Sequence, residues 1–203
     1  MKRKEMLGLI AKYPEPGLVK TRLAREVGGA RAARICRLIA EMVFRRTAPE
    51  AGGYDRVIFC DAISERALFE TWLPGEKLLS QRGGDIGAIM KNALEDLFAA
   101  GAERAVIAGV DVPWLERRIV RSAFTLLGKK DVVIGPALDG GYYLIGMTTV
   151  HSALFHDIPW SAEGVFKETV RAVERLGLRY GTLETLSDVD CVEDIGRFPD
   201  LIL

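Results

Sequence analysis

Residues 6–23, MLGLIAKYPEPGLVKTRL, decide how the rest of the chain is read. Met6–Ala11 is a short, continuous apolar run, the pattern of a buried strand. It stops at Lys12-Tyr13-Pro14-Glu15-Pro16-Gly17, where two prolines end the ladder and Gly17 permits a close backbone approach. A strand therefore runs straight into a stiffened loop. Lys12, Lys20 and Arg22 put three cations at its exit.

Working outward, the same unit recurs. Ala30–Arg46 carries Ile35, Leu38, Ile39, Met42 and Val43 at helical spacing. Val57–Cys60 reads as a strand, and Leu78–Leu79 as a short one before Gly83-Gly84-Asp85. Ile86, Ile89, Met90, Ala93, Leu94, Leu97 and Phe98 mark one helix face, with Gly101 as its stop. Ala105–Ala108 is a strand that exits through Gly109-Val110-Asp111-Val112-Pro113. Glu116–Leu127 follows as a helix, Asp131–Ile134 and Tyr142–Met147 as strands, Ala162–Leu176 as a helix and Arg179–Leu183 as a last strand. Strands alternating with helices predict an α/β fold: a mostly parallel sheet covered on both faces, three layers in all. In such sheets ligands bind beyond the carboxyl ends of the strands, at the point where strand order reverses. The loops after the strands are thus the place for chemistry.

Composition narrows the chemistry. The chain has 203 residues, suited to a single domain over 1–203. Lys+Arg and Asp+Glu are both 28, and this balance argues against a nucleic-acid partner, which a basic face would serve. His151 and His156 are the two histidines, so a His-rich metal site is excluded. Cys36, Cys60 and Cys191 have no CxxC spacing, which argues against a disulfide framework or a zinc site. The basic start is followed by an apolar run too short for a signal peptide, and no stretch suits a membrane span. A soluble, cytoplasmic protein is expected, with a homodimer expected on base rates of symmetric assembly alone.

Each loop then has a functional and a plain reading. Lys12, Lys20 and Arg22, with the backbone from Ala11 to Gly17, suit a nucleotide's phosphates or form a solvated basic turn. Gly-Leu-Val-Lys-Thr is not a Walker A loop, because the glycine before the lysine is missing. Asp111, at the end of a buried strand, is either a metal ligand or the N-cap of a helix opening near Trp114. Gly84 and Asp85 run into a helix N-terminus that suits an anion, or Asp85 simply caps it. Asp139-Gly140-Gly141 is either a tight hairpin turn or a contact to a second substrate. Trp160-Ser161 precedes a helix, and Ser161 is a natural N-cap. Ser187–Asp194 gathers four acids, of which Asp188 or Asp190 could complete a metal site.

AKYPEPGLVKTRLA, QRGGDIG, GVDVPWL, GPALDGGYYLIGM, IPWSAEGVFKET and DVDCVEDI, taken in order, resemble the blocks of a bacterial GT-A-like family usually labelled "transferase 1, rSAM/selenodomain-associated" or "glycosyltransferase". The resemblance implies the nucleotide-diphospho-sugar transferase fold. The loop ending Val19-Lys20-Thr21-Arg22-Leu23 is also similar to that of 2-phospho-L-lactate guanylyltransferases. Asp111-Val112-Pro113 is more distantly similar to the Asp-x-Pro of molybdenum cofactor guanylyltransferases. By that resemblance Lys20 and Arg22 bind phosphates and Asp111 binds Mg²⁺ or Mn²⁺; Asp190, from the acidic segment Ser187–Asp194, is the expected second ligand. The nucleotide contacts would be Ala11, Lys12, Gly17, Lys20, Arg22, Gly84 and Asp85. Asp139, Gly140, Gly141 and Trp160 would face the acceptor.

Sugar transferases of this fold more often carry Asp-x-Asp where this chain has Asp111-Val112-Pro113, which favours nucleotidyl transfer. The catalytic residues expected are then Lys20, Arg22 and Asp111, acting on a nucleoside triphosphate or nucleotide-sugar and a small-molecule acceptor. Glycosyl transfer from a nucleotide-sugar is the alternative. A catalytically silent nucleotide-binding or scaffold protein is a third reading. Its motive is that Val110 and Ile89 stand where the family usually has Thr and often has Arg; Cys191 is a further departure, where the family usually has Thr.

Overall fold

A computed structural model describes residues 4–61, 64–160, 164–196 and 198. Ser161, expected as an N-cap, and Ala162, expected as a helix start, lie outside the described residues.

The opening run forms β1 (Glu5–Ala11). It is followed by α1 (Thr21–Val27), α2 (Gly29–Arg46), β2 (Asp55–Cys60), α3 (Arg66–Trp72), β3 (Leu78–Ser80), α4 (Ile86–Ala99) and β4 (Arg104–Gly109). The second half holds α5 (Arg117–Leu126), β5 (Val132–Pro136), β6 (Tyr142–Met147), a 3₁₀ turn η1 (Ser152–Phe155), α6 (Val165–Arg175), β7 (Tyr180–Thr182) and the short α7 (Val192–Ile195). Among the described residues the seven strands form one sheet in the order β3-β2-β1-β4-β6-β5-β7.

β1, β2, β3 and β4 pair in parallel, as do β5 and β7, while β6 runs antiparallel between β4 and β5. The expected mostly parallel sheet is therefore present. Its one reversal comes from the Asp139-Gly140-Gly141 turn, which returns β5 directly into β6. Strand order reverses between β1 and β4: the chain builds outward from β1 to β3, then crosses to the other side of β1.

Alternation along the central strands separates two cores. On one face Leu7, Leu9 and Ala11 of β1 pack with Ala40, Val43 and Phe44 of α2, Phe69 and Trp72 of α3, and Ile119, Val120 and Phe124 of α5. On the other, Met6, Val57, Ile107 and Ile145 pack with Met90, Leu94 and Leu97 of α4 and Ala172 and Val173 of α6. Each buried Leu, Ile, Val, Met or Phe contributes about 1.5–3 kcal/mol relative to exposure, so the two layers are what hold the sheet. Among the described residues no helix is long and apolar enough to cross a membrane.

A third, smaller cluster matters most for the site. Leu23 of α1, Ile35 and Ile39 of α2, Val189, Ile195 of α7 and Phe198 bury one another. It ties the segment after β7 to the helices that follow β1. Residues from opposite ends of the sequence thus meet at the carboxyl end of the sheet.

Candidate functional site

The loop after β1 is held from below. Asp61, at the end of β2, accepts from the Tyr13 N–H at 2.7 Å and from the Ser64 N–H at 2.8 Å. Gln81, just past β3, is buried and donates through Nε2 to the carbonyls of Ala11 and Phe59, both at 2.8 Å. The Tyr13 ring meets Phe69 and Trp72 edge-on, with centroids 5.6 and 5.8 Å away. Three neighbouring strands therefore fix where the loop leaves the sheet. Gly17, at φ 86°, turns the loop, and Val19 is buried beyond it.

Lys20 then adopts φ 46° and ψ 50° as the N-cap of α1, left-handed backbone that non-glycine residues adopt at a cost. Its Nζ lies 2.7 Å from Asp190 Oδ1 and 3.6 Å from Asp111 Oδ2. Arg22 approaches the same Asp190, with Nη1 3.9 Å from Oδ2. The Lys20 side chain is 8% exposed, against 49% for Asp111 and 41% for Asp190, so a buried cation joins two carboxylates open to solvent. Burial alone disfavours the ammonium, but Asp111, Asp190 and Asp188 outweigh it and hold its pKa above the ordinary lysine value.

Asp111 and Asp190 arrive by different routes. Asp111 sits just beyond β4, at the reversal of strand order. It does not cap α5, whose N-cap is Glu116. Asp188 and Asp190 flank Val189, whose full burial anchors them on either side. Asp194 accepts from the Asp190 and Cys191 N–H groups at 2.9 and 3.1 Å and secures the following turn. Burial, then the charges of Asp190 and Asp111, push the Asp188 carboxyl up to about 6, with Lys20 pulling the other way. Three carboxylates, Asp111, Asp188 and Asp190, face two cations, Lys20 and Arg22, at the switch point. Two half-open carboxylates are what Mg²⁺ or Mn²⁺ uses when substrate phosphates and water supply the rest. Among the described residues no three His, Cys, Asp or Glu side chains already converge on one metal position.

The remaining expected residues line the same edge. Ala11 is buried, and its carbonyl also accepts from the Asp61 N–H at 3.0 Å; Lys12 is exposed. Gly84 is exposed, and Asp85 caps α4 by accepting from the Ala88 N–H at 2.7 Å. Asp139 accepts from the Gly141 N–H at 2.8 Å, and Gly140 has φ 88°, so this segment is a tight turn. The Gly140 carbonyl accepts from Phe166 N–H at 2.9 Å, which ties the turn to α6. Trp160 lies on the start of α4 at Gly87 and meets Tyr142 edge-on at 6.3 Å. Lys20, Arg22, Asp111 and Asp190 thus form one cluster, while Gly84, Asp85 and Trp160 gather at the α4 N-terminus.

A family described as "Uncharacterized protein conserved in bacteria (DUF2064)" matches residues 44–162. The chain belongs to that family. No curated protein matches its sequence. A crystal structure from Desulfovibrio desulfuricans G20, provisionally named a nucleotide-diphospho-sugar transferase, is 34% identical, with a TM-score of 0.90 over 96% of this chain and 85% of that one. CMP:2-keto-3-deoxy-manno-octonic acid synthetase complexed with CTP shares the fold at 13% identity and TM-score 0.60, covering 98% of each chain. Rv0371c of Mycobacterium tuberculosis H37Rv, complexed with manganese, does so at 14% identity and TM-score 0.56, over 98% of this chain and 99% of that one. The α/β architecture of this DUF2064 chain is thus that of nucleotide-diphospho-sugar transferases.

Two sequence departures acquire a physical meaning in this DUF2064 chain. Val110 is buried in the same core layer as Val112 and Leu115. Cys191 is the N-cap of α7, where its backbone N–H and its Sγ both donate to the Asp194 carboxylate, at 3.1 and 3.0 Å. Asp61 and Gln81 escaped the sequence reading. Their signal was a polar residue immediately after a buried strand, the same signal that singled out Asp111.

Proposed function

We propose that the chain is a metal-dependent transferase that uses a nucleoside triphosphate or nucleotide-sugar, with nucleotidyl transfer favoured, and that residues 1–203 act as one domain. The observation that carries this reading is the Lys20 ammonium between Asp111 and Asp190, at the reversal of strand order. A parallel sheet opens its ligand crevice there. Support comes from a fold relative that holds CTP, another that holds manganese, and the resemblance of Val19–Leu23 to guanylyltransferase loops.

Asp111 and Asp190 would hold Mg²⁺ or Mn²⁺. Such an ion, when bound, neutralises phosphate oxygens and orients them for in-line displacement. The chain's own residues do the rest. Lys20 and Arg22 meet the charge that builds on the leaving phosphate. Lys12, Gly17 and the Ala11–Gly17 backbone border the nucleotide with Gly84 and Asp85, and Asp139, Gly140, Gly141 and Trp160 border the acceptor. Catalysis of this kind is positioning and electrostatics, so no histidine or cysteine nucleophile is required.

A thermal-shift screen against nucleoside triphosphates and nucleotide-sugars, with and without Mg²⁺ or Mn²⁺, tests the reading. Ligand that binds the folded state raises the melting temperature by mass action. One nucleotide with a metal-dependent shift, lost in Asp111→Ala, is the expected result. No shift at millimolar ligand would reject the nucleotide site and favour a scaffold role. Glycosyl transfer is the second reading, favoured by the provisional name of the 34%-identical relative. Pyrophosphate release separates the two, since only nucleotidyl transfer from a triphosphate yields it.

A further inference from the structure

Lys20 Nζ, 2.7 Å from Asp190 Oδ1 and 3.6 Å from Asp111 Oδ2, fills the space between the two carboxylates. A Mg²⁺ shared by both must sit about 2.0–2.1 Å from an oxygen of each. The ammonium already pairs with one oxygen of each, so it competes for the same two carboxylates. Two cations a few ångströms apart in a half-buried site repel by several kcal/mol at the effective dielectric of such places, so lysine and metal exclude one another.

Lys20 cannot simply withdraw. Its side chain is 8% exposed, and a buried ammonium stripped of its partners is strongly disfavoured. It leaves only when another anion receives it. The backbone is pinned on both sides by buried Val19 and Leu23, while the four-carbon stem is flexible, so the movement belongs to the side chain. Arg22, 78% exposed and already beside Asp190, stands on the solvent side to meet an incoming anion.

We infer that Lys20 holds the cation position between Asp111 and Asp190 until a phosphate draws it off. The chain then takes its divalent ion as the chelate of a polyphosphate, and not as the free ion. This inference rests on the proposed metal and nucleotide site and adds the form in which the ion enters.

The test is Mn²⁺ binding read by water-proton relaxation, which reports protein-bound Mn²⁺ whether free or chelated. The natural chain, Lys20→Met and Lys20→Arg are titrated with Mn²⁺ alone and with Mn²⁺ plus inorganic pyrophosphate. Lys20→Met is expected to bind free Mn²⁺ at least about tenfold tighter than the natural chain, and Lys20→Arg to stay weak. The natural chain is expected to respond to the chelate and hardly to the free ion. A cooperatively melting Lys20→Met that binds free Mn²⁺ no tighter overturns the inference. If the natural chain still binds the chelate, the proposed function survives that failure. No enhancement in any chain, with or without pyrophosphate, rejects both.

Should Lys20→Met not fold, the Lys20 ammonium resonance of ¹⁵N-labelled natural chain decides. It is assigned by its loss in Lys20→Arg. Mg²⁺ alone is expected to leave it in place and Mg²⁺ with pyrophosphate to move it. Movement with Mg²⁺ alone overturns the inference.

Discussion

Gly109 and Asp111 pack so closely at the end of β4 that a Cβ on Gly109 would lie 2.7 Å from Asp111 Oδ1. The absent side chain leaves the space into which the carboxylate folds. Gly109→Ala is therefore expected to push Asp111 off its position beside Lys20. The strand itself tolerates alanine, so the stability change should stay within about 1 kcal/mol. Metal-dependent nucleotide affinity should fall at least about tenfold, as in Asp111→Asn, when followed by titration calorimetry. Full affinity in Gly109→Ala would mean that the site does not depend on this carboxylate's placement.

Gln81 and Asp61 make a second prediction, because both spend buried hydrogen bonds on the loop after β1. Gln81→Leu removes the donor shared by the Ala11 and Phe59 carbonyls. Asp61→Asn replaces one of two acceptor oxygens with a donor facing an N–H. Each should cost about 1–3 kcal/mol through the buried hydrogen bonds lost, the Ala11 carbonyl keeping only the Asp61 N–H in Gln81→Leu. Chemical denaturation measures that loss. Nucleotide affinity should fall with it, whereas a cavity variant in the core between the sheet and α4, such as Leu97→Ala, should destabilise without weakening the nucleotide.

How far the sequence foretold this arrangement depends on the range of the interaction. β1, β4 and the two long helices were legible because Met6–Ala11 and Ile35–Val43 carry their burial pattern locally. α1 was not, since a seven-residue helix is marginal alone and this one is held by Leu23 in the third cluster. α3 escaped for the same reason: Phe69 and Trp72 reveal it only through contact with α2 and Tyr13. Asp111 and Lys20 could be singled out by strand-end position and by resemblance. Asp190 could be placed with Asp111 as a metal ligand, but its ion pair with Lys20 could not be read, because that pair spans 170 residues and is set by the burial of Val189.

Gly87 gives a third prediction. A Cβ there would approach the Trp160 indole to 2.4 Å, so alanine must displace the ring or tilt α4. Overpacking of this kind costs about 1–3 kcal/mol. Trp160 also holds Tyr142 edge-on, beside the Asp139–Gly141 turn. Gly87→Ala should therefore shift the tryptophan emission of the folded chain, and Trp160→Phe should remove that difference. If Trp160 borders the acceptor, the variant raises the acceptor KM more than it weakens the nucleotide.

Asp131 and Arg179 offer a control at the opposite end of the sheet, where β5 and β7 begin. Asp131 accepts from Arg179 Nε at 3.0 Å, Nη2 at 2.9 Å and the backbone N–H at 2.9 Å. The side-chain bonds first, and the backbone bond next, lower its pKa from 3.8 to about 2. A carboxyl whose pKa is lowered by folding contributes stability above its unfolded value and loses it as pH falls toward the folded one. The pair is largely solvent-exposed, so screening keeps its worth small. Asp131→Asn should lower the melting temperature by about 1–3 °C at neutral pH. That gap should narrow as pH falls from about 4 toward 2, and also as salt rises. Nucleotide-induced shifts should be untouched, because the pair lies across the sheet from Lys20. A changed nucleotide response in Asp131→Asn would show that the two ends of the sheet are coupled.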